Sequence, residues 1–182
     1  EALVSIKIDG HLDEEVWAGI PWTDGFRVSE PDTLIPAALR TQVKIFYTEA
    51  GLYIGSWNEQ AVDTLIERLS SRDAWLTRDR LTVTLDTSGE GLYGYWFGVN
   101  LGGSLSDGTV LPERQHGSEW DGPWRAETAQ LKDGWSAEMF LPWSMMSMPD
   151  SANYTRTMGI ALQRAVAHKN QTWGIPALPR TT

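Results

Sequence analysis

Apolar and polar residues alternate along much of the chain with the period of two that is typical of half-buried β-strands. Between residues 42 and 47, the side chains of Val43, Ile45 and Tyr47 fall on one face and their neighbours on the other. Residues 81–86 repeat the pattern, and further strands are predicted at residues 52–58, 92–100, 124–131, 134–141 and 157–166. The chain is therefore predicted to be an all-β, antiparallel β-sandwich of the immunoglobulin or jelly-roll type.

Turn residues and two longer irregular stretches divide this pattern. Asp133 and Gly134 form a hairpin signal, and only residues 12–18 and 143–148 are predicted as short helices. Residues 60–78 and 102–123 show neither periodicity and are predicted to be loops. Because long loops on a rigid β scaffold often carry binding residues, these two stretches are the first places to look for a site.

Composition narrows the classes of function. The 182 residues predict a single domain over residues 1–182. A net charge of −9 with only 15 Lys and Arg removes the basic stripe that nucleic acids and anionic membranes require. The absence of cysteine excludes thiol catalysis and Cys-ligated zinc. No apolar run approaches the roughly 20 residues that span a bilayer, and the chain is expected to be a domain of a longer precursor.

Ten tryptophans form the most unusual part of the composition. Trp17, Trp96 and Trp135 lie inside apolar patterns and are predicted to be core residues. Five further tryptophans stand beside polar residues or in loop-like segments and are therefore candidates for ligand binding. They are Trp57, Trp75, Trp120, Trp124 and Trp173. A solvent-exposed indole face suits a sugar ring, because both surfaces are flat and apolar.

The order of the segments resembles a known family. Residues 8–17, with the sequence IDGHLDEEVW, resemble the opening of family nine carbohydrate-binding-module-like domains. The segments TQVKIFY at residue 41, LYIG at 52, RDRLTVTLD at 78, FGVN at 97 and GWSAEMFLPW at 134 follow in that family's order. The resemblance covers nearly the whole chain and implies a DOMON-like β-sandwich without catalytic activity.

That resemblance also implies a sugar site. In sugar-binding members of the family two tryptophans sandwich the terminal sugar, and Trp75 and Trp173 match them. Gln163 resembles a sugar-contacting glutamine, whereas the family's glutamate and arginine fall near Thr82 and Gly98. Three arginines could compensate: Arg78, Arg80 or Arg164. The predicted ligand-binding set is Trp75, Trp173, Gln163, Asp79, Arg78 and Trp120, and the expected partner is a poly- or oligosaccharide.

A second resemblance bears on location. The segments Arg72-Asp73, GYWFGVN at residue 94, WDGPW at 120 and the stretch from Trp173 to Arg180 resemble bacterial surface proteins. In those proteins such a domain precedes an outer-membrane barrel. This implies export to the periplasm or cell surface of a Gram-negative bacterium. It leaves open an alternative in which Trp120, Trp124 and Trp143 contact another protein or the attached barrel.

Cofactors remain to be considered. Several family members hold a structural calcium, and the candidate oxygen ligands are Asp9, Asp13 and Glu14, or Asp107, Glu119 and Asp121, although calcium needs six to eight oxygens. DOMON-like relatives that bind haem use His and Met ligands, and this alternative is expected to be a minor one. Its candidates would be His11, His116 and His168 with the methionines near residue 146. No catalytic motif for an enzyme is present.

Overall fold

The computed structural model describes residues 6–67, 78–112, 115–150 and 155–178. One short helix, α1 (Glu15–Ala18), precedes all of the described strands. The strands are β1 (Arg27–Glu30), β2 (Thr41–Tyr47), β3 (Gly51–Glu59), β4 (Arg80–Asp86), β5 (Gly94–Asn100), β6 (Leu105–Leu111), β7 (Gln115–Gly117), β8 (Arg125–Leu131), β9 (Gly134–Pro142), β10 (Gly159–Val166) and β11 (Gln171–Ile175). Short 3-10 turns cover Val62–Thr64, Trp143–Met145 and Ala167–Lys169.

These strands form two antiparallel sheets packed face to face, which confirms the predicted sandwich. The large sheet has the order β1-β11-β10-β4-β5-β6-β7, and the small sheet has the order β2-β3-β9-β8. The core lies between them because alternate residues on each strand are apolar. Leu81 and Val83 of the large sheet are fully buried, as are Ile54 and Met139 of the small sheet. No helix in the described ranges is long and apolar enough to span a membrane.

The sequence prediction located the seven strands whose residues alternate regularly and missed four others. Of these, β1 and β11 lie in stretches for which no strand was predicted. β6 and β7 lie within the predicted loop at residues 102–123. Asp107 and Gly108 interrupt the pattern of β6, and both residue types are depleted in strands. The predicted helix at residues 143–148 is a single 3-10 turn, and that at residues 12–18 is reduced to α1.

The opening motif at residues 8–17 packs onto the outer face of the small sheet. Glu138 of β9 is fully buried there, and its Oε2 accepts hydrogen bonds from the backbone N–H groups of Asp9 and Gly10 at 2.9 and 3.2 Å. Its Oε1 accepts from Trp17 Nε1 at 3.1 Å. Gly10 has a φ of 87°, and a Cβ there would lie 2.6 Å from the backbone of Thr128, so only glycine fits.

Candidate functional site

Trp173, predicted as one side of a sugar clamp, lies in the core. It is the middle residue of β11, paired with Arg164 of β10 and with Val28 of β1, and its exposed fraction is 0%. The guanidinium of Arg164 lies 5.1 Å from its ring centroid, and Trp173 Nε1 donates to Gln171 Oε1 at 2.9 Å. Neither ring face is therefore open to a sugar, and its packing role replaces the binding role that was predicted.

Arg164 itself is a buried structural cation and does not offer its charge to a ligand. Its Nη1 donates to Arg40 O and Thr41 Oγ1 at 3.2 and 2.9 Å, and its Nη2 donates to Glu59 O and Gln60 Oε1 at 2.7 and 2.9 Å. Burial lowers the pKa of Arg164 to about 10, against the opposing charges of Asp79 and Glu59. The compensation considered from the sequence is thus excluded for Arg164 by its contacts.

Asp79, predicted as a ligand-binding residue, holds the base of a loop. Its side chain is fully buried and accepts from the backbone N–H groups of Ile66 and Ala167 at 2.8 and 3.1 Å, and from Gln60 Nε2 at 3.2 Å. Residues 66 and 79 are also joined by a backbone hydrogen bond. These contacts hold residues 66, 79 and 167 together. Trp75, predicted as the other side of the sugar clamp, lies outside the described residues.

The neighbouring arginines lie close to this loop base. Arg78 is buried, and burial lowers its pKa. The pKa of Arg80 is lowered by burial and by the positive charge of Arg78. Arg80 is the first residue of β4 and lies in register with Asn100 of β5 and Ala165 of β10, so its side chain points to the outer face of the large sheet.

Gln163, predicted from the resemblance to contact sugar, is exposed on that outer face. The register places Ser106, Gly98, Thr82, Gln163 and Gly174 side by side on β6, β5, β4, β10 and β11. These five residues are called the polar row below. Thr82 and Gly98 are the positions at which the family's glutamate and arginine fall, so the register places Gln163 beside the two positions where this chain lacks those residues.

Most residues of the polar row beside Gln163 have small side chains or none. A Cβ at Gly98 would lie 2.8 Å from Ser106 Oγ and 3.5 Å from Arg80 Cδ. The aliphatic stem of Arg80 therefore lies beside Gly98, and a side chain added at residue 98 would have to displace Ser106 Oγ. Of the arginines considered as substitutes for the missing one, Arg80 is the one that lies beside this position.

Trp120 and Trp124 belong to the loop at residues 118–124, and their rings pack against residues of the large sheet. Trp120 is half-buried, with its ring centroid 4.7 Å from that of Tyr95 and 5.9 Å from that of Phe97. Trp124 is buried, and its Nε1 donates to Asp107 Oδ2 at 2.8 Å. The predicted binding role of Trp124 is therefore wrong, and it cannot take part in a surface patch with Trp120 and Trp143.

The arrangement of the two sheets is shared with solved structures. A family 9 carbohydrate-binding module from Caldicellulosiruptor kristjanssonii, in complex with cellotriose, superposes with a TM-score of 0.66 at 16% identity, over 94% of this chain and 80% of the module. The chain has the fold of a family 9 carbohydrate-binding module. This confirms the fold implied by the opening motif. The complex of such a module from the same organism with glucose gives a TM-score of 0.62 at 16% identity, covering 94% and 81%.

A protein of Bacteroides uniformis assigned as carbohydrate-binding has the same fold, with a TM-score of 0.68 at 13% identity over 88% of this chain and 80% of that one. No sequence-family model matches the chain, and no curated protein matches it in sequence. At this identity the family 9 likeness establishes the fold, and the function has to be argued from the residues themselves.

The acidic residues predicted to bind calcium do not converge in this family 9 fold. Asp107 is fully buried in β6, and its Oδ2 accepts from Gly122 N and Trp124 Nε1 at 3.0 and 2.8 Å. Glu119 and Asp121 are exposed in the following loop. Within the described ranges no group of three or more His, Asp or Glu side chains could hold a metal ion. The carboxylate of Asp107 instead fixes the Trp124 loop to the sheet.

Replacing Asp107 with alanine is expected to lower the unfolding free energy by about 2–3 kcal/mol, because two buried donors lose their acceptor. The loss should be equal in calcium and in chelator when measured by urea unfolding. Glu119→Ala, which changes an exposed acid of the loop that follows, is the control and should leave stability unchanged. A loss confined to calcium-containing buffer would instead identify Asp107 as a metal ligand.

The histidines and methionines considered for haem have separate surroundings. His11 and His116 are exposed, and His168 Nδ1 lies 3.2 Å from Gln60 Nε2. Met139 and Met146 are buried in the core cluster, with Met145 and Met148 packed against it. These methionines fill the interior of the sandwich.

The distribution of the tryptophans was predicted in part. Trp17, Trp96 and Trp135 are buried as expected, and Trp57 is half-buried. The sequence argument overlooked Trp22, which has an exposed fraction of 41% and is the most exposed tryptophan among the described residues. Its neighbours Pro21, Thr23 and Asp24 are the available signal, because a tryptophan between proline and polar residues rarely belongs to a buried strand.

Proposed function

We propose that the chain is a non-catalytic carbohydrate-binding module that binds a saccharide against the polar row on the outer face of its large sheet. The observation that carries this proposal is the alignment of Gln163 with Thr82, Gly98 and Ser106 across four adjacent strands. The fold supports it, since modules with this fold were solved with cellotriose and with glucose.

The chemistry of the polar row suits a sugar. The exposed amide of Gln163 both donates and accepts hydrogen bonds, and so do the hydroxyl groups of Thr82 on the adjacent strand and of Ser106 farther along the row. Because the polar row has small side chains beside Gln163, a sugar ring can approach it closely. Trp75 is proposed as the aromatic partner from the preceding segment. Arg80, whose stem lies beside Gly98, is proposed to supply the cation that the family carries at that position.

The proposal that the module is non-catalytic rests on the positions and hydrogen bonds of its candidate carboxyl groups. Hydrolysis of a glycosidic bond requires two carboxyl groups that face the bond from opposite sides. Asp107 and Glu138 are fully buried and accept hydrogen bonds from protein donors. Glu119 and Asp121 are exposed side chains of one loop. We further propose that the module is exported and acts beside an attached domain, as its resemblance to bacterial surface proteins implies.

Gln163→Ala is expected to weaken saccharide binding about fivefold, because it removes one direct hydrogen-bonding side chain worth about 1 kcal/mol. Trp75→Ala is expected to weaken it further through loss of stacking. Isothermal titration of the folded protein with cellotriose, glucose and maltotriose measures both effects. Gln115→Ala, an exposed glutamine on β7, is the matched control. Unchanged affinity in Gln163→Ala would place the site elsewhere on the module.

A further inference from the structure

A groove lined by aromatic side chains lies on the opposite side of the molecule from the polar row. It has a volume of about 250 Å³ and is formed by Trp22 and Trp57 with Leu12, Leu131, His11, Asp13 and Ser136. These residues are called the tryptophan groove below. Trp57 is on the outer face of the small sheet, since its neighbours Ser56 and Asn58 point into the core and are fully buried. The groove therefore faces away from Gln163.

The walls of the groove are held in place before any ligand arrives. Trp22 precedes Thr23, whose backbone N–H and C=O both bond to Val43 of β2 at 2.7 and 2.8 Å. The ammonium group of Lys44 lies 4.4 Å from the Trp22 ring centroid, and this buried lysine also donates to Trp17 O. An aromatic ring that is already fixed loses little conformational entropy when a ligand binds, which favours affinity.

The opposite wall is equally fixed. Trp57 belongs to β3, the strand between β2 and β9. The turn at residues 9–13 is tied down because Ser136 Oγ donates to Gly10 O and Asp9 Oδ1 accepts from His11 N. His11 and Asp13 are exposed at the rim of the groove. Two indoles, a small apolar floor and a polar rim are the elements that a ring with apolar faces and polar edges requires.

The charges around the groove indicate what kind of ligand it accepts. The Lys44 ammonium lies over one face of Trp22 and Asp13 lies at the rim, so charges of both signs border the groove. Because their effects on a charged ligand partly cancel, neither a cation nor an anion gains a clear electrostatic advantage. A neutral ligand with hydrogen-bonding edges fits this lining best. The volume lies just under the range of about 300–1,000 Å³ typical of drug-sized ligands, which suits a monosaccharide or disaccharide unit.

We propose that the tryptophan groove is a second saccharide site, which binds a neutral pyranose unit on Trp22 with its hydroxyl groups at Asp13 and His11. The inference extends the proposed function, on which it rests, because it gives the module two sites on opposite sheets. A module with two sites can hold two saccharide chains, or two parts of one chain, and its retention on a polysaccharide then exceeds the affinity of either site.

The test uses the indole N–H signals in ¹H–¹⁵N spectra of the full chain, which carries ten tryptophans. The Trp22 signal is assigned by its absence in Trp22→Ala. Cellotriose, glucose and maltotriose are then titrated into wild type, Trp22→Ala and Gln163→Ala. Wild type is expected to show saturable shifts of the Trp22 signal with at least one of these sugars, and Gln163→Ala is expected to keep them.

Affinity at the groove is expected to fall about tenfold in Trp22→Ala, as loss of an aromatic contact worth about 1.4 kcal/mol implies. Trp22→Tyr, which retains a flat ring, should keep most of it, and Asp13→Asn should reduce it. The Trp57 indole signal reports binding in these variants. Tyr47→Ala removes an aromatic side chain that is 77% exposed elsewhere and serves as the matched control.

The outcomes separate the two sites. Sugar shifts that are lost only in Gln163→Ala, with the Trp22 signal unmoved, would overturn the tryptophan groove and leave the proposed function intact. Shifts at Trp22 that persist in Gln163→Ala support the groove, and they do so even if the polar row proves inactive. A folded wild type that shows no shift with any of the three sugars overturns both sites.

Discussion

Glu138→Ala is expected to lower the unfolding free energy by about 3 kcal/mol and to release residues 8–17 from the small sheet. Three donors lose their only shared acceptor: the backbone N–H groups of Asp9 and Gly10, and Trp17 Nε1. Each buried donor left without a partner costs about 1–3 kcal/mol, and detachment of the segment limits the sum. Urea unfolding measures the loss, and Trp17, now 1% exposed, should become accessible to acrylamide quenching.

Glu127→Ala is the matched control, because Glu127 lies opposite Glu138 in the β8–β9 register but is exposed. It should leave both stability and quenching unchanged. Equal losses in the two variants would show that general charge in the sheet, and not the anchoring of the opening motif, determines stability.

The same carboxyl group gives stability a defined pH dependence. Burial raises the pKa of Glu138 above its ordinary value of 4.5, aided by the charge of Glu14, and outweighs the donors that lower it. The folded state therefore holds this proton to a higher pH than the unfolded chain. Its contribution is complete below the ordinary pKa and is lost as pH rises through the folded pKa. The advantage of wild type over Glu138→Gln should shrink across that window.

Arg164→Met is expected to cost about 3–5 kcal/mol, which for a domain of this size approaches the whole folding free energy. The substitution leaves four oxygen atoms without their donor, those of Arg40, Thr41, Glu59 and Gln60. It also removes the cation beside the Trp173 ring. Near-ultraviolet circular dichroism should show a weaker aromatic signal, and thermal unfolding should show a lower melting temperature or no folded state.

Arg40→Met changes an arginine with an exposed side chain, whose hydrogen bonds to Arg164 and Glu59 are made by its backbone. It should fold normally. Arg164→Lys tests the geometry, since a single ammonium cannot reproduce the planar arrangement of donors, and it should restore only part of the loss. Full stability in Arg164→Met would mean that Trp173 packing alone holds this end together.

The strands could be predicted from sequence because their periodicity is a local property. β4 shows this best, since Leu81, Val83 and Leu85 alternate with polar residues and all three are buried. The Asp133-Gly134 signal correctly marked the β8–β9 hairpin, in which Leu131 pairs with Gly134. Where a polar residue faces inwards, as Asp107 does in β6, the same argument failed, because its hydrogen-bond partners lie in another segment.

The candidate site was predicted less well for the same reason. Polar neighbours made Trp173 and Trp124 look exposed, yet in a strand the neighbours of an inward residue point outwards. Gln171 and Thr172 precede Trp173, and none of this local context reports that Arg164 covers its ring. Gln163 was found through resemblance, and its alignment with Thr82 and Gly98 became visible only when three strands were paired.

The sequence by itself determined the two-layer class of the fold, most strand positions and the opening motif, since all three depend on residues close together in the chain. The tertiary structure decided which of the described tryptophans lie in the core, which polar groups are buried acceptors and donors, and where two aromatic or polar surfaces form. Those properties depend on pairs such as Glu138 with Trp17, or Trp22 with Lys44, which are brought together only when strands distant in sequence pair and pack.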